Sequence, residues 1–400
     1  MLYFYNIYLV NIIVIELNNE FANLINIFRL LIITKNEEKM KKVVKTIGVL
    51  SVASLMSTSA FSQISVSGYA EMGFMTGNQN GTRSMANTKN LGGESVITVA
   101  GKGSLNNGWT YSAYQSIDTD EKGNGRDLQT TSGGLTTRAI ELSPSANFKL
   151  FYTYDGVYGG EIARTAVPTV TERAADMTGA TTLTEFIDVT SGTHAIGFEA
   201  LNIGPAGRLS VAYAPNLDAS APQSSDRMYS GTAEAGMNTA SGYSIGYSVT
   251  PGPIKVAAGY TKLSSGNSTF TAAEPTSKTL GITYTDASFA IGAQRTKNQD
   301  GVKKNGNINV DDTVDTFSAS FAANKEITLG VAYSKMEREI PGSTTGPDTK
   351  VLQLVAAYNL GPVVASIAYE DAKDKNQASN EVSVSGLDHQ LTKIKVKANF

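Results

Sequence analysis

The feature that most constrains the fold is a strict alternation of apolar and small polar residues in short segments after residue 62. In 242–250, apolar positions alternate with Ser, Gly and Thr; they are Tyr243, Ile245, Tyr247 and Val249. Successive side chains of a β-strand point to opposite faces, so each such segment has one apolar and one polar face. Two faces that prefer different solvents are typical of the strands of a membrane barrel.

The alternation continues through most of the chain. It predicts sixteen strands near 64–76, 94–104, 108–118, 135–143, 147–155, 193–201, 207–215, 241–250, 253–262, 277–285, 288–296, 313–323, 326–335, 350–359, 363–371 and 390–400. Most are about ten residues long, the length that a tilted strand needs to cross a bilayer. The predicted connections alternate between about two to five residues and roughly fourteen or more, like the periplasmic turns and outer loops of a membrane barrel. We therefore predict an all-β fold, a 16-stranded antiparallel transmembrane β-barrel.

Tyrosines support this prediction because they cluster at strand ends on the apolar face. If the odd-numbered strands run outward, one set lies at the outer edge of the membrane: Tyr154, Tyr213, Tyr260, Tyr333 and Tyr369. A second set lies at the periplasmic edge: Tyr247, Tyr284 and Tyr358. Two aromatic girdles of this kind flank the apolar band of outer-membrane barrels.

The chain divides into three predicted regions. Residues 40–62 have the features of an export signal, with a basic start, a short apolar core and small residues at Ala60 and Ser62. Two interpretations of residues 1–39 stay open: an extra membrane anchor, or an upstream extension with a mis-assigned start. Polar residues interrupt its apolar runs, which favours the mis-assigned start. The predicted organisation is 1–39 upstream extension, 40–62 signal peptide and 63–400 barrel.

Composition excludes several kinds of site. Cysteine is absent, and His194 and His389 are the only imidazoles. Residues 63–400 carry 27 basic and 32 acidic residues, whereas nucleic-acid binding favours a basic surface. The sequence contains no glycine-rich phosphate loop and no cluster with metal-ligand spacing. An esterase would need a Ser–His pair with an orienting polar group, whereas His194 stands at a predicted strand start and His389 at a predicted loop end. We therefore predict no enzymatic activity, no catalytic residue, no cofactor and no metal.

Four sequence features recur between 63 and 400: ISVSGY at 64–69, GSLNNGW at 103–109, a tyrosine before repeated Gly-Pro or Asp-Ala turns, and IKVKANF at 394–400. Together they resemble the general diffusion porins of Gram-negative bacteria, most closely the β-proteobacterial type, and the resemblance covers 63–400. It implies a homotrimer in the cell outer membrane, in which each multi-pass barrel is a water-filled channel for passive diffusion of ions and small hydrophilic solutes. It also implies a long third loop folded into the lumen, and Phe400 as an assembly signal. Outer-membrane lipid and lipopolysaccharide would be its other partners.

Two charged sets are candidates for controlling permeation. Inward strand positions place a basic pore wall at Lys149, Arg208, Lys255, Lys393, Lys395 and Lys397. The third loop, residues 155–193, supplies a constriction set at Glu161, Arg164, Glu172, Arg173, Asp176, Glu185 and Asp188. A basic wall opposite an acidic loop would create a transverse field that filters solutes by charge. The alternative is that the loop charges are merely solvated. The family that the sequence resembles has a row of arginines on the inner wall, and Arg138 lies at the position of one of them. Because Arg138 shares the face of Ile140 and Leu142, we exclude it from the wall.

The function predicted from the sequence is therefore an outer-membrane porin. The alternative is an outer-membrane barrel that acts mainly as an adhesin or surface receptor. An adhesin concentrates length in its outer loops, whereas only the third loop is exceptionally long here.

Overall fold

The computed structural model describes residues 63–79, 88–120, 134–154, 156–164, 186, 189–190, 193–204, 206–215, 241–264, 274–301, 310–339, 348–373 and 389–400. Within these residues it contains sixteen strands: β1 Gln63–Gln79, β2 Thr88–Ser104, β3 Thr110–Asp120, β4 Gly134–Ser145, β5 Phe148–Tyr154, β6 His194–Leu201, β7 Arg208–Ala214, β8 Ser241–Val249, β9 Ile254–Ser264, β10 Thr276–Thr285, β11 Phe289–Gly301, β12 Val310–Ala322, β13 Ile327–Glu339, β14 Thr349–Asn359, β15 Val363–Lys373 and β16 His389–Asn399. The predicted extension and export signal lie outside the described residues, and both stay predictions.

The strands form one closed antiparallel sheet. Each strand pairs with its neighbours in sequence, and β1 pairs with β16 to complete the ring. Closure leaves no strand edge unpaired, which a sheet in lipid requires because the hydrocarbon offers no water to its N–H and C=O groups. The predicted 16-stranded antiparallel barrel is confirmed. No helix in the described part of the chain is both long and apolar enough to cross a membrane.

The connections alternate in length, but the predicted lengths were wrong for the long set. One end of the barrel, which we call the turn end, has connections of two to six residues, of which 146–147 is the shortest. At the opposite end, which we call the loop end, connections are as short as 80–87 and 302–309. They are shorter than predicted because the strands continue beyond the segments in which apolar and polar residues alternate. Beyond the lipid both faces of a strand are polar, so antiparallel pairing continues without an apolar face to mark it.

Burial is reversed relative to a soluble protein. On β10, Leu280 and Ile282 are 60% and 50% exposed, whereas Thr279 and Thr283 between them are buried. Exposed apolar side chains mark the outward face, which meets lipid, and the small polar side chains mark the inward face. By this parity the tyrosines of both predicted girdles lie on the outward face.

The seam between β1 and β16 closes the ring. Gly68 and Phe400 exchange two backbone hydrogen bonds of 3.0 Å. A Cβ at Gly68 would lie 2.1 Å from the Val96 carbonyl oxygen and 2.9 Å from the Phe400 ring, so glycine leaves room for both the neighbouring backbone and the aromatic side chain. On the inward side, Lys395 Nζ donates to Glu71 Oε1 at 3.0 Å, and both side chains are 11% exposed. Backbone pairing, a ring contact and an ion pair therefore join the first and last strands.

Deleting Phe400 should impair assembly, because it removes two backbone bonds and the ring contact from the seam. We expect a clear loss of folded protein, measured as heat-modifiable gel mobility of outer-membrane fractions. Phe400→Tyr keeps the ring and the backbone and serves as the control. Normal levels of the truncated chain would show that the seam does not need this residue.

Candidate functional site

The inward face carries the basic residues that the sequence assigned to a pore wall. Lys149 shares the inward face of β5 with buried Thr153, and Arg208 shares that of β7 with buried Ser210. Lys255 is two residues from buried Ala257 on β9, so both side chains point inward. On β16 the exposed Ile394 and Val396 face outward, and the alternate positions hold Lys393, Lys395 and Lys397. The structure therefore places all six on the wall, and their role in permeation stays a prediction.

Acidic side chains neutralise much of this wall. Lys149 Nζ lies 3.3 Å from Glu141 Oε1, and Arg208 forms an ion pair with Glu199. Lys395 pairs with Glu71, as described for the seam, and Lys397 Nζ lies 3.3 Å above the centre of the Tyr69 ring. The sequence analysis missed these acidic partners, although each stands at an inward position of its strand. Within the described residues, Lys255 has no ion-pair partner.

The beginning of the third loop lies against the inward face of the barrel. A short 3-10 helix, Gly159–Ala163, follows β5. The N–H of Gly159 donates to Ser210 Oγ at 2.7 Å, and the N–H of Gly160 donates to Ser244 Oγ at 3.1 Å. Gly159 has a φ of +60°, and a Cβ there would lie 2.1 Å from Ser244 Oγ. Only glycine combines this backbone conformation with so close an approach to the wall.

The other end of this helix is held from β11. The side-chain amide of Gln294 donates to the carbonyl oxygens of Ala163 and Arg164 at 3.0 and 2.9 Å. Between these two anchors Ala163 packs on Ala257 of β9, and both are fully buried. Residues 159–164 therefore contact inward side chains from β7 to β11.

Tyr158 ties the start of the helix to β4 and β5. Its hydroxyl donates to Glu141 Oε1 at 2.9 Å, and its ring stacks on Phe151 with 4.0 Å between ring centres. Burial, followed by its bond with Tyr114 and the nearby Glu141 charge, raises the pKa of Tyr158 far above its ordinary value. The hydroxyl therefore keeps its proton and remains a donor. Ser112 Oγ donates to the other Glu141 oxygen at 2.6 Å, so this carboxylate connects three elements.

The end of the third loop packs on its beginning. Thr190 Oγ1 donates to the Gly156 carbonyl at 2.7 Å. The Phe186 ring lies so close to Gly160 that a Cβ there would be 2.4 Å from it. Phe186 and Val189 are both buried. The loop is therefore held to itself as well as to the wall.

The predicted constriction charges are only partly described. Arg164 Nη1 lies 3.0 Å from Glu161 Oε1, so these two form an ion pair. The remaining members of the set lie outside the described residues: Glu172, Arg173, Asp176, Glu185 and Asp188. The transverse field between loop and wall therefore stays a prediction.

Two further residues that the sequence singled out face away from the channel. Arg138 points outward, and its guanidinium lies 5.0 Å from the centre of the Tyr154 ring, so its exclusion from the wall agrees with the structure. His194 is also on the outward face, where Nδ1 is 2.7 Å from the Tyr152 hydroxyl. His389 begins β16, and its side chain is outside the described residues. In the part of the chain that the structure describes, no cluster of three or more residues is suited to bind a metal ion.

Changing Ser210 and Ser244 to alanine should loosen the third loop. Each change leaves a buried backbone N–H without its acceptor, at a cost of about 1–3 kcal/mol. We expect more frequent brief closures and greater open-channel noise in single-channel recordings. The control is Thr316→Ala, which removes a hydroxyl pair with Ser334 (3.0 Å) from the wall between β12 and β13, outside the strands β7 to β11 that residues 159–164 contact. Unchanged noise in the double variant would contradict the anchoring role of the serines.

Comparison with known protein families gives one match over most of the chain. A family model described as Gram-negative porin matches residues 49–393. No curated protein matches the sequence.

Solved structures with a similar fold include outer-membrane channels and porins. The outer membrane channel DcaP of Acinetobacter baumannii has a TM-score of 0.61 at 9% identity, covering 86% of this chain and 99% of its own. A loop L8 deletion mutant of OmpT from Vibrio cholerae has a TM-score of 0.56 at 10% identity, covering 84% and 99%. The anion-selective porin from Comamonas acidovorans has a TM-score of 0.54 at 14% identity, also covering 84% and 99%. At such identities the likeness concerns the fold.

Proposed function

Since this chain belongs to the Gram-negative porin family, we propose that its third loop narrows the outer-membrane channel that the barrel forms. The family and the closed barrel make the protein an outer-membrane porin, for passive diffusion of ions and small hydrophilic solutes. They indicate a channel rather than an enzyme. The proposal concerns what limits passage through it.

The contacts of residues 156–164 carry this proposal. Backbone N–H groups at Gly159 and Gly160 bind serines of β7 and β8, and Gln294 of β11 binds the far end of the helix. A segment fixed by inward side chains of successive strands occupies part of the barrel cross-section. The loop spans 155–193, and connections of such length are uncommon unless they are functional.

We further propose that Lys255, which has no ion pair within the described residues, helps to set the ion preference. Lys149, Arg208 and Lys395 each have a carboxylate partner, so at a distance each pair acts as a dipole rather than a charge. Lys255 lies on β9 one inward position from Ala257, which touches the loop helix. A lysine without a counterion at this height attracts permeating anions.

The oligomeric state is a separate proposal, supported by the outward face of β1 to β3. This face is exposed and aliphatic, with Val66 directly opposite Val99 and further contributions from Ile64, Ile97 and Ile117. Tyr69 of β1 points inward to Lys397, so it does not contribute to an outward girdle. We propose that a homotrimer buries this aliphatic face, whereas the faces with tyrosine girdles meet lipid.

Replacing residues 157–192 by a Gly-Ser linker should widen the channel. We expect larger conductance steps in planar bilayers and faster entry of larger sugars in liposome-swelling assays. The control replaces 216–240, the next long connection, in the same way. Equal effects of both replacements would refute the narrowing by the third loop. A wild-type chain that gave no conductance would instead favour the adhesin or receptor alternative. Gel mobility confirms folding of each variant before recording.

Lys255→Gln should shift the reversal potential toward cation preference, because it removes a lumen charge that no carboxylate of the described residues balances. The effect should be larger at low salt, where the screening length is long. Lys325→Gln is the matched control, since Lys325 is exposed in the turn between β12 and β13 and carries the same charge. Equal shifts for both variants would mean that net charge, rather than position in the lumen, sets selectivity.

A further inference from the structure

Six basic residues of the inward face lie near one end of the barrel. We call them the turn-end bases, because each stands within five residues of the turn-end terminus of its strand. Arg208 is the first residue of β7, and Lys255 is the second residue of β9. Lys102 is exposed near the end of β2, and its direction is opposite to that of the outward-facing Ile97 and Val99. The turn-end bases are Lys102, Lys149, Arg208, Lys255, Lys395 and Lys397.

Carboxylates of the same region balance only half of these charges. Three inward carboxylates lie beside the turn-end bases and form the ion pairs described above: Glu71, Glu141 and Glu199. Six bases against three carboxylates leave this part of the wall with a net charge of +3. The turns themselves contain Lys325, Asp286 and Glu326, so the turn end as a whole keeps a net charge of +2.

The rest of 63–400 carries net charge of the opposite sign. Of its 27 basic and 32 acidic residues, 7 and 5 belong to the turn end. The remaining 20 basic and 27 acidic residues lie at mid-height, nearer the loop end or in the loop-end connections. Among them, Asp312 and Glu370 are fully buried on the inward faces of β12 and β15, and Lys393 of β16 also faces inward. The net charge along the barrel axis is therefore positive at the turn end and negative towards the loop end.

We infer that this axial charge asymmetry makes the channel rectify, so that it carries more current when the loop-end side is positive. The inference rests on the proposed channel function. At that polarity cations enter through the negative end and anions enter through the positive end, and a charged wall raises the concentration of ions of the opposite sign. At the reverse polarity each ion must enter through an end of its own sign, so the lumen is depleted of both. The conductance therefore depends on the direction of the field.

The test is the current–voltage curve of single channels of the full folded chain, in planar bilayers with the same KCl solution on both sides. The chain has no cysteine, so Asn106→Cys, at an exposed position in a turn, reports the orientation of each channel. A thiol reagent too large for the channel reaches this residue from the turn-end side only. A unit charge roughly 8 Å from an ion in water changes the ion's local concentration about twofold, so we expect a current ratio of about two between the polarities at ~0.1 M KCl. The ratio should approach one at ~1 M KCl, where the screening length is about 3 Å.

Lys102→Glu/Lys255→Glu should abolish the rectification, because it changes the net charge of the turn end from +2 to −2. Glu199→Gln is a second, independent variant that makes the turn end more positive and should increase the current ratio. The matched control is Lys278→Glu/Lys350→Glu, which makes the same change of charge at two exposed positions on the outward face and should keep the wild-type ratio. Gel mobility confirms the folding of each variant before recording.

A straight current–voltage curve from a conducting, oriented wild-type channel would overturn this inference and leave the channel function intact. An absence of conductance would overturn the channel function as well, so the two failures are distinguishable. An equal change of the current ratio in the outward control would mean that net charge rather than its position in the lumen is responsible, and would also overturn the inference. So would a ratio that does not depend on salt, because a charge effect must weaken as screening increases.

Discussion

The rest of the structure depends on the requirement that every backbone polar group within lipid be paired. An open sheet of these strands would expose two rows of N–H and C=O groups to hydrocarbon, at several kcal/mol for each group. The seam of β1 and β16 removes both rows, and Gly68, Phe400 and the Glu71–Lys395 ion pair hold it. The other features depend on closure, because only a closed ring has one face in lipid and the other in water.

Once the ring is closed, its interior is polar, and the third loop is held there by polar contacts. In a soluble core a loop would be fixed mainly by apolar packing. Here Ser210, Ser244 and Gln294 bind the backbone of the loop helix, and Tyr158 and Val189 of the loop add apolar packing against the wall. Small hydroxyl side chains suit this task because they let the backbone approach closely, and Gly159 has no side chain to prevent that approach.

The sequence predicted the number of strands, their order and their faces, because alternation is strong wherever one face meets lipid. It could not predict the strand ends at the loop end, since β2 and β11 continue into water, where the two faces no longer differ. The alternation of side chains along a strand was enough to place Lys395 on the wall and Arg138 outside it. Parity could not reveal that Glu71 neutralises Lys395, because the pairing of first and last strands depends on a register that only closure defines. The contacts of the third loop were also beyond the sequence, since they join residues far apart in the chain.

The period of two also lets adjacent residues serve different surfaces. On β11, Gln294 faces inward and binds the loop helix, whereas Arg295 faces outward and binds Asp315 near the upper edge of the apolar band. A register slip of one residue would bring the arginine to the loop helix and the glutamine to the lipid side, and both contacts would be lost. Register is therefore constrained from the channel and from the membrane at the same point. Substitutions on one face can change solute passage while the other face keeps its lipid contacts, because a β-strand separates the two environments by only its own backbone.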